Sequence, residues 1–160
     1  MPKIETILVP MDFSTHSEIA LDHAVRMGKL FAATIHLLHC HRIDTFSAYP
    51  YGPPYISDLP EDFDKEVRNA ASKKLATYRE KVEAQGVTVE QHLGEQAPAE
   101  AILTAADKIG ADLIVMGTRG LTGLKHVVLG SVTERTLRAA TCPVLCVKSE
   151  EEGPSSSESA

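Results

Sequence analysis

Residues 113–137 read L-I-V-M-G-T-R-G-L-T-G-L-K-H-V-V-L-G-S-V-T-E-R-T-L. The stretch opens on an unbroken apolar run, Leu113, Ile114, Val115 and Met116, passes through glycines, and closes on a helix-like segment starting at Ser131. An apolar run without alternation is what a strand covered on both faces requires. Glycines at the end of such a strand, and again at the mouth of the next helix, leave backbone N–H groups to surround an anion where the helix macrodipole favours negative charge. The stretch therefore predicts a central strand of a parallel α/β sheet, with a phosphate site at its carboxyl end.

The flanking sequence repeats the alternation. Residues 4–10 (I-E-T-I-L-V-P) form a short β-like run, and 14–31 carry Ile19, Ala20, Ala24, Met27, Leu30 and Phe31 at helical spacing. A second strand is expected over 34–40, then a Tyr/Pro-rich loop over 49–60 too irregular for repeating structure. A long exposed helix follows over 61–85, stopped by Gly86, and an alternating strand over 87–93. Pro98 opens a helix that runs to Ile109 before Gly110. The fourth strand is expected over 111–116, the last helix over 131–140 and the fifth strand over 143–148. This alternation predicts one doubly wound domain over 1–148, a five-stranded parallel sheet of order 3-2-1-4-5 with helices on both faces. In that order the strand sequence reverses between strands 1 and 4, so the segment around Asp12 should face the glycine loop across the switch-point crevice.

A chain of 160 residues with 43% hydrophobic composition suits one compact domain. A formal net charge of −6 with no basic run argues against nucleic acid or an anionic membrane as the main partner. Glu150, Glu151, Glu152 and Glu158 fall in a Ser-rich segment, 149–160, expected to be disordered. The absence of a long apolar stretch or signal-peptide pattern gives a cytoplasmic expectation. Cys40, Cys142 and Cys146 make no disulfide framework, since four extended residues separate the last two by roughly 13 Å.

The glycine spacing is Gly117-x2-Gly120-x9-Gly130-Ser131. It is neither a Walker A loop, which needs Gly-Lys-Ser/Thr, nor a G-x-G-x-x-G turn. Together with V-P-M-D-F-S at 9–14, I-H-L-L-H-C at 35–40 and the closing L-G-S-V-T-E and C-P-V-L-C-V-K, it makes the chain from about residue 4 to 148 resemble the universal stress protein family, in its ATP-binding branch.

That resemblance implies an ATP-binding regulatory protein that signals by its bound state, with Mg²⁺ carried by the nucleotide. It implies adenine held by main-chain groups near Pro10, Met11 and Cys40, the last standing where a Val-like residue is usual. Met116, Gly117, Arg119, Gly120, Gly130, Ser131 and Val132 would complete the nucleotide-binding set, with the glycines and Ser131 at the phosphates. Asp12, ending the first strand, is placed for ribose hydroxyls or for Mg²⁺, or alternatively to cap the first helix. Gly117 and Gly120 would let the loop turn without side chains in the way, and Gly130 and Ser131 would offer N–H groups, with the Ser131 hydroxyl a further donor. Capping is the competing role for Ser131, and solvent exposure for Arg119. No residue near the loop is an evident base for orienting water, so fast turnover is not expected. The resemblance also implies a homodimer through the fifth strand, at Val144, Leu145, Cys146 and Val147, whose edge is flat and apolar.

Other chemistries fit less well. His39 and His41 share one face of a strand and Cys40 the other, so with His36 they do not converge on a metal, and no protein-ligated metal is expected. His16 lies near Asp12 and Ser14 without a nucleophile elbow, and P-M-D-F-S-T is not the phosphate loop of an adenylylating enzyme. The remaining rival is a nucleotide-independent interaction module regulating a transporter, channel or kinase, in which the glycine loop is architecture alone.

Overall fold

The computed structural model describes residues 3–41, 62–120 and 129–149. The Tyr/Pro-rich loop, the middle of the glycine loop with Lys125, and the tail from 150 lie outside the described residues. The elements in chain order are β1 (Thr6–Pro10), α1 (Thr15–Phe31), β2 (Thr34–Cys40), α2 (Phe63–Glu83), β3 (Val89–Gly94), α3 (Pro98–Ile109), β4 (Leu113–Gly117), α4 (Ser131–Ala139) and β5 (Val144–Val147). All strand pairs are parallel and the sheet order is β3-β2-β1-β4-β5, as the alternation predicts.

Side-chain alternation divides the core between the two faces of the sheet. Ile7, Val9, Ile35, Leu37 and Val89 pack with α1 (Ala20, Leu21, Ala24, Val25) and α2 (Leu75, Val82). Leu8, Leu38, Ile114 and Met116 pack on the other face with Ile102 and Ala106 of α3, and Val132 of α4 joins them. Every residue of β4 is buried, as its unbroken apolar run requires.

The strand bounds differ from the expected ones where a side chain replaces a ladder bond. Asp112 accepts from the N–H groups of Glu5 (2.8 Å) and Thr6 (3.0 Å), so β1 starts later than the apolar pattern suggests. Gly110 (φ 64°) caps α3 in the left-handed conformation that glycine tolerates, and Gly86 (φ 82°) adopts it in the turn after α2, whose own cap, Ala84, stays right-handed. Ala32 caps α1 in the left-handed conformation at φ 54°, without glycine's freedom. Among the described residues, no helix is long and apolar enough to cross a membrane.

Candidate functional site

The carboxyl ends of β1, β2 and β4 meet the starts of α1, α3 and α4 around a cavity of about 310 Å³. All eleven residues singled out in the sequence line it: Pro10, Met11, Asp12, Cys40, Met116, Gly117, Arg119, Gly120, Gly130, Ser131 and Val132. Six further lining residues were missed, namely Ser17, Leu38, His39, Pro98, Ile102 and Thr133. Pro98 and Ile102 arrive on α3, which follows the edge strand β3 and so escapes a search confined to the β1–β4 crevice. Thr133 is two residues beyond Ser131, on the same helix start.

Asp12 opens a tight turn. Its Oδ1 accepts from the Ser14 N–H at 3.0 Å and from the Ser14 hydroxyl, and Ser14 in turn accepts from the Ser17 N–H at 3.2 Å. The N-cap of α1 is therefore Ser14, and Asp12 holds that cap instead of being it. Between them Phe13 sits at φ 64°, a left-handed conformation that costs a non-glycine residue roughly 1–3 kcal/mol. The Asp12 turn fixes it from one side. From the other, its ring stacks on His39 (centroids 4.3 Å apart, 27° between planes) and on Tyr78 (5.7 Å, 18°), under the Lys74 ammonium at 4.6 Å. The Tyr78 hydroxyl donates to Glu18, and chiefly through that bond its own ionisation is pushed up to about 12.

His39 Nδ1 donates to the Met11 carbonyl at 2.7 Å, which fixes the tautomer, while burial holds the imidazole below the usual histidine range. The Met11 N–H donates to the Leu38 carbonyl at 2.7 Å. Of the main-chain groups expected near adenine, the Met11 N–H is thus spent on joining β1 to β2. Cys40 lines the cavity with its thiol pushed up to about 11 by burial, so it is a neutral, small apolar wall at physiological pH.

The glycines act by close approach more than by turning, since none of the loop's described glycines has a positive φ. A Cβ on Gly117 would lie 3.0 Å from both Cβ and the carbonyl oxygen of His16, so this glycine lets β4 reach the first turn of α1. A Cβ on Gly120 would lie 2.7 Å from Asp12 Oδ2, so this one lets the Asp12 carboxylate come up to the loop. At Gly130 the neighbour is the Thr118 carbonyl, 3.3 Å from a built Cβ, and the Gly130 N–H donates to that same carbonyl at 2.7 Å. Gly130 therefore offers no N–H to a phosphate, a correction to its expected role.

Thr133 adds a second clip, its hydroxyl donating to the Gly117 carbonyl at 3.0 Å. The two bonds join the stems of the loop and aim the start of α4 at the cavity. Helix geometry leaves the N–H groups of Ser131, Val132 and Thr133 without intrahelical acceptors, and the first such bond runs from Glu134 to the Gly130 carbonyl. Half-buried Arg119 lines the same wall. The floor, from Pro10, Met11, Leu38, Ile102, Met116 and Val132, is apolar, so one end of the cavity suits a flat apolar ring and the other an anion.

A family model described as the universal stress protein family matches residues 3–148. Universal stress protein YxiE of Bacillus subtilis is 38% identical over 148 residues, covering 89% of this chain and 97% of that protein. The solved structure of MJ0577, a universal stress protein of Methanocaldococcus jannaschii, superposes with a TM-score of 0.76 at 32% identity, covering 93% of this chain and 99% of the other. A universal stress protein of Archaeoglobus fulgidus solved in complex with dAMP shares the fold, with a TM-score of 0.64 at 23% identity and coverage of 92% and 100%.

Proposed function

The chain belongs to the universal stress protein family, and we propose that within it this protein is an ATP-binding switch, responding through its bound state with little turnover. The observation that carries the reading is the cavity itself. Residues from three separated segments, around Asp12, around Gly117 and around Ser131, converge on one hollow with an apolar floor and an anion-favouring wall.

The residues fit a nucleotide carrying Mg²⁺. Adenine would lie against Pro10, Leu38 and Cys40, and the phosphates toward Arg119 and the α4 start. The Asp12 carboxylate, which Gly120 lets reach the loop, would hold ribose hydroxyls or the cation. Mg²⁺ would supply charge neutralisation of the phosphates. The protein's own groups bind and orient: the α4 N–H groups and Arg119 meet negative charge, and the buried floor excludes water from the base. Two bonds around the cavity support the reading of low turnover. Asp12 Oδ1 is committed to Ser14, and His39 Nδ1 to Met11, so neither is poised through those atoms to orient an attacking water.

A homodimer through β5 belongs to the same proposal. That strand ends the sheet, and Leu145 on it and Leu137 on the neighbouring α4 are both exposed large apolar residues. Two measurements test the switch: mass spectrometry of any small molecule released when purified protein is denatured, and calorimetric titration with MgATP. Bound adenine nucleotide, or saturable MgATP binding at one site per chain, is the expected result. A folded protein that releases nothing and binds no MgATP would leave the interaction module as the function.

A further inference from the structure

Away from the cavity, the other edge of the sheet brings together three groups suited to a metal ion. The β2–β3 register pairs His36 with Glu90 and Leu38 with His92, and strand alternation then sets His36, Glu90 and His92 on one face. His36 Nδ1 lies 2.9 Å from His92 Nε2 and 3.6 Å from Glu90 Oε2, and the three potential ligand atoms all fall within 4.8 Å of one another. The two imidazoles stack with centroids 5.2 Å apart and 12° between planes. His36 is buried, His92 half-buried and Glu90 exposed, so the cluster has a fixed base and a mouth open to solvent. None of the three lines the nucleotide cavity.

We propose that His36 Nδ1, His92 Nε2 and Glu90 form a binding site for a divalent ion of the zinc class, tying the edge strand β3 to β2, with solvent in the fourth position. A tetrahedral ion with bonds of about 2.0–2.1 Å holds its ligands about 3.3 Å apart, so the observed separations of 2.9 and 3.6 Å straddle the required one. Both imidazoles must turn so that the ring nitrogens that face each other in the hydrogen bond converge on one ion, and Glu90, exposed at the mouth, can follow them. Two imidazoles and a carboxylate favour Zn²⁺, Ni²⁺ or Cu²⁺ over Mg²⁺ and Ca²⁺, which prefer oxygen alone. In the ion-free pair one ring nitrogen donates its proton to the other. Ion binding moves that proton to the second nitrogen of the same ring, so both facing lone pairs reach the metal and no proton need be lost.

The test uses the untagged full chain with Co²⁺ as a spectroscopic probe, displaced by Zn²⁺, in wild type, Glu90→Gln and His92→Ala. Circular dichroism and the metal-free melting temperature report folding. The expected result is one Co²⁺ per chain with the visible absorption of a tetrahedral site, and affinity reduced more than about tenfold in each folded variant. Exposed Glu90 makes Glu90→Gln the variant least able to disturb the fold. Absence of Co²⁺ and Zn²⁺ binding in wild type, or wild-type affinity in a folded Glu90→Gln and His92→Ala, would overturn the proposal and leave a hydrogen-bonded histidine pair. Neither outcome depends on nucleotide binding.

Discussion

Ser131→Pro removes one N–H from the start of α4 and is close to the least disturbing way to do so. Ser131 is the first helical residue after the Gly130 cap, the position where proline's fixed φ suits a helix and its missing N–H has no intrahelical partner to lose. The residue before a proline must be extended, and Gly130 already sits at φ −69°, ψ 153°. Fold stability should therefore hold or rise slightly, by about 0.4–1 kcal/mol, through the stiffer unfolded chain. If the terminal phosphates of a nucleotide rest on this helix start, the loss is a hydrogen bond to a charged group, worth about 1.5–3 kcal/mol, or roughly 10- to 150-fold in affinity. The proline ring in place of the N–H adds a steric penalty of the same sign. Calorimetric titration with MgATP measures the affinity, and Ser131→Ala separates the hydroxyl from the N–H. A folded Ser131→Pro protein binding MgATP as tightly as wild type would refute the seating of phosphate on α4.

Three further outcomes are expected. Gly117→Ala should destabilise the fold by about 1–3 kcal/mol with or without nucleotide, because its Cβ would stand 3.0 Å from His16; a lowered urea midpoint in both states checks this. Cys40, pushed up to about 11 by burial, should carry about a hundredfold less thiolate at pH 8 than an unhindered cysteine. Its site-resolved alkylation should accordingly keep climbing with pH beyond 9 where an ordinary thiol levels off, and bound nucleotide should slow it. Leu145→Lys places a charge on the 38% exposed residue of β5 and should give monomers in light scattering, while a persistent dimer would move the interface to another surface.

The fold was legible because both periodicities were clean, and α3 and β2 fall on their predicted residues. The bounds slipped where a side chain took over backbone bonding: nothing in a hydropathy pattern announces that Asp112 will bind the N–H groups of Glu5 and Thr6. The cavity was legible through topology, which brings Asp12 and Gly120 together across more than a hundred residues of chain. What escaped was the reason for the glycines. Sequence spacing suggests freedom to turn, whereas the three-dimensional neighbours at Gly117 and Gly120 reveal close approach, to His16 and to Asp12. The His36–His92 pair escaped for a related reason. Reading along one strand separates its histidines by face, and only the register of β2 against β3 places His92 beside His36.

The two clips at the loop stems bear on how a bound nucleotide could be felt elsewhere. Gly130 to Thr118 and Thr133 to Gly117 tie the start of α4 to the end of β4, joining the helix start and the strand end into one hydrogen-bonded unit. The same β4 end carries β5 through the pairs Met116–Cys146 and Gly117–Val147, and the Thr118 N–H donates to the Val147 carbonyl at 3.1 Å. The helix start proposed to face phosphate and the proposed dimer edge are therefore one strand apart and share Thr118, whose carbonyl binds one and whose N–H binds the other. A ligand that bound equally well whatever the position of this unit could not act as a signal. If nucleotide and dimerisation both favour one position, each must strengthen the other by the same factor, and if they favour opposite positions each must weaken the other by the same factor, because binding couplings are reciprocal. Thr118 is thus where the proposed switch and the proposed interface would meet, although it contributes no side chain to the cavity wall.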